Sequence, residues 1–297
     1  MATLWLGNKR GVASDWITQR WVQLTGRRIQ FRDFQWLDGP TGATSGIGAD
    51  FLERLAEAEN LLIASESGPL GLTPDFSVLR GPHFDPSALS PEIAHFYEHT
   101  SDYGLDVWSE WSGAFRPFGW LLGVVFSQRL QQLNMPLSSM ETSSGVTSRL
   151  VHLVDPLTHA VRHIGWIRSI SAIKKTVYVG LYSTCSVPGF NGRCVRVVFP
   201  LPNGSVTVVL WPELKPDGSL VLHSNGRRFG DPGFYFVVRR DEGSGWARYV
   251  PSLKESIHVF LSPSKELRAD HEFRMWGFNY FRLHYKLTRK PTLATRP

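Results

Sequence analysis

The sequence predicts an α+β protein in which a helical N-terminal part packs on an antiparallel meander β-barrel of about ten strands. From about residue 146 the hydrophobic pattern changes from helical spacing to short β-branched and aromatic runs. The segments between these runs are short and rich in turn-forming residues, and none has room for a crossover helix. Sequential strands should therefore be antiparallel neighbours.

Helix signals dominate the first 140 residues. SDWITQRWVQLTG, residues 14–26, offers Ser14 as an N-cap and ends at a glycine. GADFLERLAEAENLL, residues 48–62, repeats apolar side chains at helical spacing. The segment 90–111 opens with Ser-Pro, which is typical of a helix start, and 118–133 predicts a further helix. We therefore expect 1–140 to be a helical and loop region that covers the barrel.

Residues 146–288 supply the predicted barrel, and residues 289–297 a basic tail. The strand-like segments are 146–154, 160–170, 176–185, 193–201, 205–211, 219–224, 233–240, 245–250, 256–261, 266–276 and 279–287. So many consecutive strands would leave long open edges unless the sheet curls or closes. This reasoning favours a closed or strongly bent sheet.

The strand pattern of the C-terminal half resembles the architecture of lipocalins and fatty-acid-binding proteins. Fatty-acid binders hold the ligand carboxylate with Arg-x-Tyr in their last strand, where this chain reads Arg282-Leu283-His284-Tyr285. The resemblance implies a barrel interior that can hold a small ligand.

TGATSGIG at residues 41–48 resembles the glycine fingerprint of the short-chain dehydrogenases. The matching positions are Thr41, Gly42, Gly46, Ile47 and Gly48. In that family a buried strand precedes the glycines, whereas here Asp38, Gly39 and Pro40 interrupt the preceding segment. The family's catalytic Tyr-x-x-x-Lys is also missing from the sequence. We therefore predict that the segment binds no dinucleotide and that the protein uses no cofactor.

Charge and composition limit the partners. The net charge is +6, but the basic residues are scattered rather than gathered into a stripe, so we expect no nucleic-acid partner. No signal peptide is evident, and the longest apolar run, 118–126, is too short to span a bilayer, which predicts a cytoplasmic protein. Cys185 and Cys194 face each other across a predicted hairpin, and whether they pair stays open.

Candidate polar chemistry lies in HFYEHTSDYGLD, residues 95–106. On a continuous helix, His95, His99, Asp102 and Asp106 would share one face. A His-x-x-x-His pair without the zincin glutamate predicts a solvated face rather than a metal site.

The abundance of aromatic side chains, including 11 Trp and 18 Phe, favours an apolar small molecule as the ligand. The candidate catalytic residues are Tyr97, Glu98, His99 and Asp231. The candidate ligand contacts are Trp108, Trp111, Arg116, Arg228, Tyr235 and Arg282. These residues predict a cofactor-independent enzyme of the cyclase, isomerase, hydratase or lyase type that acts on a small apolar organic molecule in a barrel cavity, with secondary-metabolite biosynthesis as one context for such a reaction. The alternative is a non-catalytic carrier or sensor that holds the same ligand. The sequence leaves the oligomeric state open.

Overall fold

A computed structural model describes residues 12–44, 46–64, 70–112, 132, 146–170 and 175–291. The described part has an α+β fold with three α-helices and one large antiparallel sheet of fourteen strands. The helices are α1 (Ala13–Thr25), α2 (Phe51–Ala58) and α3 (Pro91–Glu98). The strands are β1 (Arg27–Gln30), β2 (Leu62–Ile63), β3 (Tyr103–Trp111), β4 (Val146–Val154), β5 (Val161–Ile170), β6 (Lys175–Cys185), β7 (Cys194–Leu201), β8 (Gly204–Leu214), β9 (Leu220–His223), β10 (Phe234–Arg239), β11 (Ser244–Tyr249), β12 (Leu253–Leu261), β13 (Leu267–Met275) and β14 (Phe278–Arg289).

The main path of the sheet runs β2-β4-β5-β6-β7-β8-β9-β12-β13-β14-β3. A branch leaves this path at β8, whose first half pairs with β10, and continues through β11 to β1. The second half of β8 pairs with β9. Eight of the eleven residues of β8 are buried, and the other three are half-buried.

The sheet is open, and this corrects the expectation of a closed meander of about ten strands. Its hydrogen-bonded path ends at β2 and β3, which do not pair with each other. Every segment predicted as a strand from residue 146 onward is a strand. The additional strands are β1, β2 and β3, which come from the region expected to hold only helices and loops. The tail predicted from residue 289 overlaps the last residue of β14, and residues 292–297 lie outside the described ranges.

Residues 103–111 form a strand rather than the second half of a helix. The helix that starts at Pro91 ends at Glu98, and β3 then pairs along its whole length with β14. Burial alternates along β3, with Tyr103, Leu105 and Val107 inside, as expected for a half-buried strand. His95 and His99 therefore do not share a helical face with Asp106. The helix predicted for 118–133 lies outside the described residues except for Gln132.

The sheet curls so that one face encloses the largest hydrophobic cluster. Leu105 of β3 and Leu150 of β4, near the two ends of the strand path, belong to this same cluster. On the outer face, α2 packs Phe51 and Leu52 against β4–β6 in a second cluster. The curled sheet thus has a covered outer face at α2 and an interior that receives side chains from most strands.

Candidate ligand-binding cavity

The interior of the curled sheet contains a cavity of about 500 Å³. Strands β3, β5–β10 and β12–β14 line it, together with residues of α1 and α3. Alternate positions of each strand point inward, as Glu255, Ile257 and Val259 do on β12. Most of the lining is apolar, and the volume is within the range of sites for small organic molecules.

Arg168 is the cationic group of the cavity. It is only 4% exposed, and it projects from β5 among aromatic rings. Its guanidinium carbon lies 5.1 Å from the ring centroid of Tyr285, 5.4 Å from that of Trp166 and 5.9 Å from that of Tyr178. Such stacking stabilises a guanidinium through the ring quadrupoles but leaves the in-plane N–H groups for hydrogen bonds.

Among the described residues, no carboxylate forms an ion pair with Arg168, although seventeen ion pairs occur between other side chains. Its guanidinium has side-chain hydrogen bonds with Tyr178 and Tyr285, and its buried Nε has no hydrogen-bond partner in this part of the chain. A buried charge without a counter-charge is costly in free energy. The cavity therefore offers a buried cation that an anionic ligand group would neutralise.

The tyrosines around Arg168 are proton donors at neutral pH. Burial raises the pKa of Tyr285 to about 12, although the neighbouring Arg168 partly offsets this. Burial also raises the pKa of Tyr182 well above its ordinary value. Both phenols therefore keep their protons and can donate hydrogen bonds to an oxygen held by the guanidinium.

A second polar centre lies on β12 and β13. Glu255 is 7% exposed, and its Oε2 lies 3.0 Å from Nε2 of His271. Both side chains line the cavity. The backbone N–H of Glu255 donates to Ser224 Oγ at 3.0 Å, and the His271 ring packs on Phe273 with centroids 4.0 Å apart. These contacts hold a carboxylate–imidazole pair in a defined orientation, as acid–base chemistry requires.

Gln132 fills a gap in the ladder between β6 and β7. The last paired residues are Leu181 and Val198, so the next positions across the ladder are Val179 and Pro200. Proline has no N–H to donate. The Gln132 amide donates to Val179 O at 2.9 Å and to Pro200 O at 3.1 Å, while its own oxygen accepts from Val179 N–H at 2.8 Å. The side chain thus satisfies backbone groups at the cavity wall.

Of the residues predicted from sequence, Tyr97 and Trp111 line the cavity. Glu98 faces elsewhere, since its Oε1 accepts the backbone N–H of Phe76 at 2.9 Å. His99 follows the end of α3, with its ring 4.5 Å from that of His95. Trp108 is exposed on the outer side of β3. Of the predicted cluster of Tyr97, Glu98 and His99, only Tyr97 therefore lines the cavity.

The remaining predicted residues lie away from the cavity or outside the described ranges. Asp231 closes its loop by accepting the backbone N–H groups of Arg227 and Arg228, and Arg228 is exposed. Tyr235 is buried in a cluster on the outer face of the sheet. Arg282 pairs with Glu272 at 3.2 Å. Arg116 falls in a segment that the structure does not describe.

The dehydrogenase-like glycines lie in a loop before α2. The preceding segment contains a short 3₁₀ helix, Gln35–Leu37, where the dehydrogenase family has a strand. Gly42 forms an isolated bridge to Pro202, and Gly46 and Gly48 adopt positive φ. Glycine tolerates this backbone conformation, so the residues have a structural reason to be there. That they bind no dinucleotide stays a prediction.

Comparison of the chain with protein-family models, curated proteins and solved structures finds no match. None of the helices in the described ranges is both long enough and apolar enough to cross a membrane. Within the same ranges, no group of three or more His, Cys, Asp or Glu residues is placed to hold a metal ion.

Sequence reasoning did not identify the polar residues of the cavity. The residues missed at the two polar centres and around them are Arg168, Tyr178, Tyr182, Glu255, His271 and Tyr285. A signal was present in GWIRSI, where Arg168 shares the face of Trp166 between the apolar Ile167 and Ile170 of the same strand. A charged side chain at an inward position of a buried strand marks a functional candidate.

Proposed function

We propose that the protein binds a small apolar molecule with one anionic group in the interior cavity and transforms it by acid–base chemistry without a cofactor. The observation that carries the proposal is the buried Arg168, which has no carboxylate partner among the described residues. A carboxylate or phosphate is the natural counter-ion, because a guanidinium can donate two parallel hydrogen bonds to it.

The lining supports an apolar body for the ligand. Apolar side chains such as Val197, Val208 and Phe236 line the same cavity as the two polar centres. Apolar surface removed from water contributes roughly 25 cal/mol per Å² to binding. Arg168 would fix the orientation of the ligand, and the apolar lining would supply most of the affinity.

The Glu255–His271 pair favours an enzyme over a carrier. A carrier needs an anchor for one end of its ligand, whereas an enzyme needs a further polar group near the reacting atoms. Cyclisation, isomerisation, hydration and elimination can each proceed by moving a proton to or from carbon or oxygen. His271 would move the proton and Glu255 would hold its ring in place.

The second candidate is a carrier or sensor of the same ligand. The observation that favours it is the predominance of apolar side chains in the cavity wall. In that case Glu255 and His271 would only stabilise the sheet, and the ligand would leave unchanged.

Native mass spectrometry of the purified protein tests ligand binding. We expect a co-purifying apolar anion that is lost in Arg168→Leu and kept in Arg149→Met, because Arg149 lies on neighbouring β4 in an exposed pair with Glu53. Wild type and Glu255→Gln are then incubated with the ligand. A new product with wild type alone supports the enzyme, whereas unchanged ligand with both supports the carrier. A wild-type protein that carries no ligand and binds no apolar anion would contradict both.

A further inference from the structure

Helix α1 packs with its polar side inward. Asp15, Gln19 and Val22 are buried, and together with Thr18 they line the cavity. Gln19 donates to Pro202 O at 3.1 Å on the β7–β8 turn. A surface helix of a globular protein normally buries its apolar side. Here the arrangement is reversed, because the inner side of the helix borders the cavity.

The outer side of α1 is apolar and exposed. Ile17 is 60% exposed and Leu24 is 80% exposed, and Trp16 and Trp21 are also exposed. Ile17, Trp21 and Leu24 follow the i, i+4, i+7 spacing of one helical face. The thirteen residues of α1 span about 20 Å. This outer face, formed by Trp16, Ile17, Trp21 and Leu24, is an apolar stripe over residues 16–24, and the Trp21 ring at its border also packs on Phe236 with centroids 5.5 Å apart.

The charges beside this outer face are positive. Arg20 lies within it and stacks over Trp16 at 5.6 Å, and Arg28 follows on β1; both arginines are exposed. Arg28 pairs with Trp246 in the sheet, so the two side chains project from the same face of the sheet. The one acidic residue of α1 and β1 is Asp15, which is buried.

We propose that the outer face of α1 docks on an anionic lipid bilayer. Tryptophans and aliphatic side chains insert at the boundary between headgroups and acyl chains, and flanking arginines bind anionic headgroups. A symmetric contact with a second copy would bring two surfaces that both carry Arg20 and Arg28 together, and their like charges oppose dimerisation through this face. Because the inner side of α1 lines the cavity, docking would place the cavity beside the bilayer, in which apolar molecules dissolve.

Vesicle flotation tests this proposal, with phosphatidylcholine vesicles that contain or lack phosphatidylglycerol. The wild type should float with the anionic vesicles and remain behind with the neutral ones, and added salt should weaken its binding. Ile17→Ser combined with Leu24→Ser should reduce bound protein at least ~10-fold. Arg20→Gln combined with Arg28→Gln should reduce binding to the anionic vesicles only.

The matched control is Leu157→Ser, because Leu157 is 90% exposed on the turn between β4 and β5 and is far from α1 in sequence. This variant should bind as the wild type does, and circular dichroism should show that all variants keep their fold. The proposal is overturned if the wild type fails to float or floats equally with both kinds of vesicle. It is also overturned if Leu157→Ser reduces binding as much as Ile17→Ser combined with Leu24→Ser does. A dimer in solution that Ile17→Ser and Leu24→Ser abolish would make a second copy the occupant and would also overturn it.

Discussion

The guanidinium of Arg168 on β5 lies over the ring of Tyr285 on β14, 5.1 Å from its centroid. Strands β5 and β14 are not hydrogen-bonded neighbours, and most of the sheet separates them along the strand path. Their contact shows how strongly the open sheet curls. It also places a cation from one end of the path beside a phenol from the other, inside the cavity that both line.

Glu255→Gln should abolish turnover and preserve binding. The amide keeps the shape of the side chain but replaces the carboxylate that holds Nε2 of His271 at 3.0 Å, so the ring loses the partner that orients it for proton transfer. We expect kcat to fall by about 10²-fold or more, with the ligand affinity changed by less than about threefold. Steady-state kinetics together with calorimetric titration measures both, and an unchanged kcat would remove the pair from the mechanism.

Gln132→Ala should destabilise the protein. The substitution leaves Val179 N–H and two carbonyl oxygens without their partners at a buried position where Pro200 cannot complete the ladder. We expect the free energy of unfolding in urea to fall by about 2 to 4 kcal/mol. Gln30→Ala on exposed β1 is the control and should change it by less than about 0.5 kcal/mol. Equal effects of the two substitutions would refute this role.

Stability should decline as the pH falls below about 6.5, partly through His152. Burial holds the pKa of His152 below its ordinary value of 6.5, and its neutral ring donates from Nε2 to Gly71 O at 2.9 Å. Below about pH 6.5 the histidine of the unfolded chain is therefore protonated more readily than that of the folded chain. The contribution of His152 to the free energy of unfolding is thus present above about pH 6.5 and is lost as the pH falls below it.

Urea unfolding at about pH 7.5 and about pH 5.5 measures this loss. His152→Gln keeps an N–H donor but cannot titrate, so it should lose less stability on acidification than wild type. Burial also lowers the pKa values of His95 and His258, which accounts for a remaining slope. The control is His83→Gln, because His83 is exposed; this variant should lose as much stability on acidification as the wild type does. The explanation fails if His152→Gln and wild type lose stability equally.

The two cysteines should be unreactive in the native protein. Cys185 and Cys194 lie opposite each other on the neighbouring strands β6 and β7, and both are buried free thiols. Burial raises the pKa of Cys185 to about 11 and that of Cys194 further. At pH 8 only about 0.1% of Cys185 is then thiolate, which is the form that reacts. A chromogenic disulfide reagent should modify neither thiol until denaturant is added and then both. Rapid reaction in the native state, or absent thiols after denaturation, would contradict this.

The strands after residue 146 were predictable because their period-2 pattern and turn chemistry agree. Asn203 at the β7–β8 turn and Gly218 at the β8–β9 turn adopt the positive φ that such turns require. β3 was missed because Leu105 and Trp108 also fit helical spacing. The branch at β8 was missed because the local sequence pattern does not reveal that β10 pairs with the first half of β8 and β9 with the second half.

The cavity residues could not be predicted for a different reason. Arg168, Glu255 and Tyr285 lie on strands far apart in the sequence, and only the curl of the sheet brings them to one interior. Local pattern assigns each of them to one of two faces of its strand but does not show which face is enclosed. The sequence did indicate an apolar cavity through its aromatic content, and Tyr97 and Trp111 do line one.

The most direct test of the account compares dodecanoate with its neutral analogue 1-dodecanol by calorimetric titration. If Arg168 holds an anionic group, wild type should bind dodecanoate at least about tenfold more tightly than dodecanol. Arg168→Leu should abolish this preference while retaining affinity for dodecanol, and Arg149→Met should keep the preference. Equal affinities of wild type for both molecules, or an unchanged preference in Arg168→Leu, would contradict the central claim.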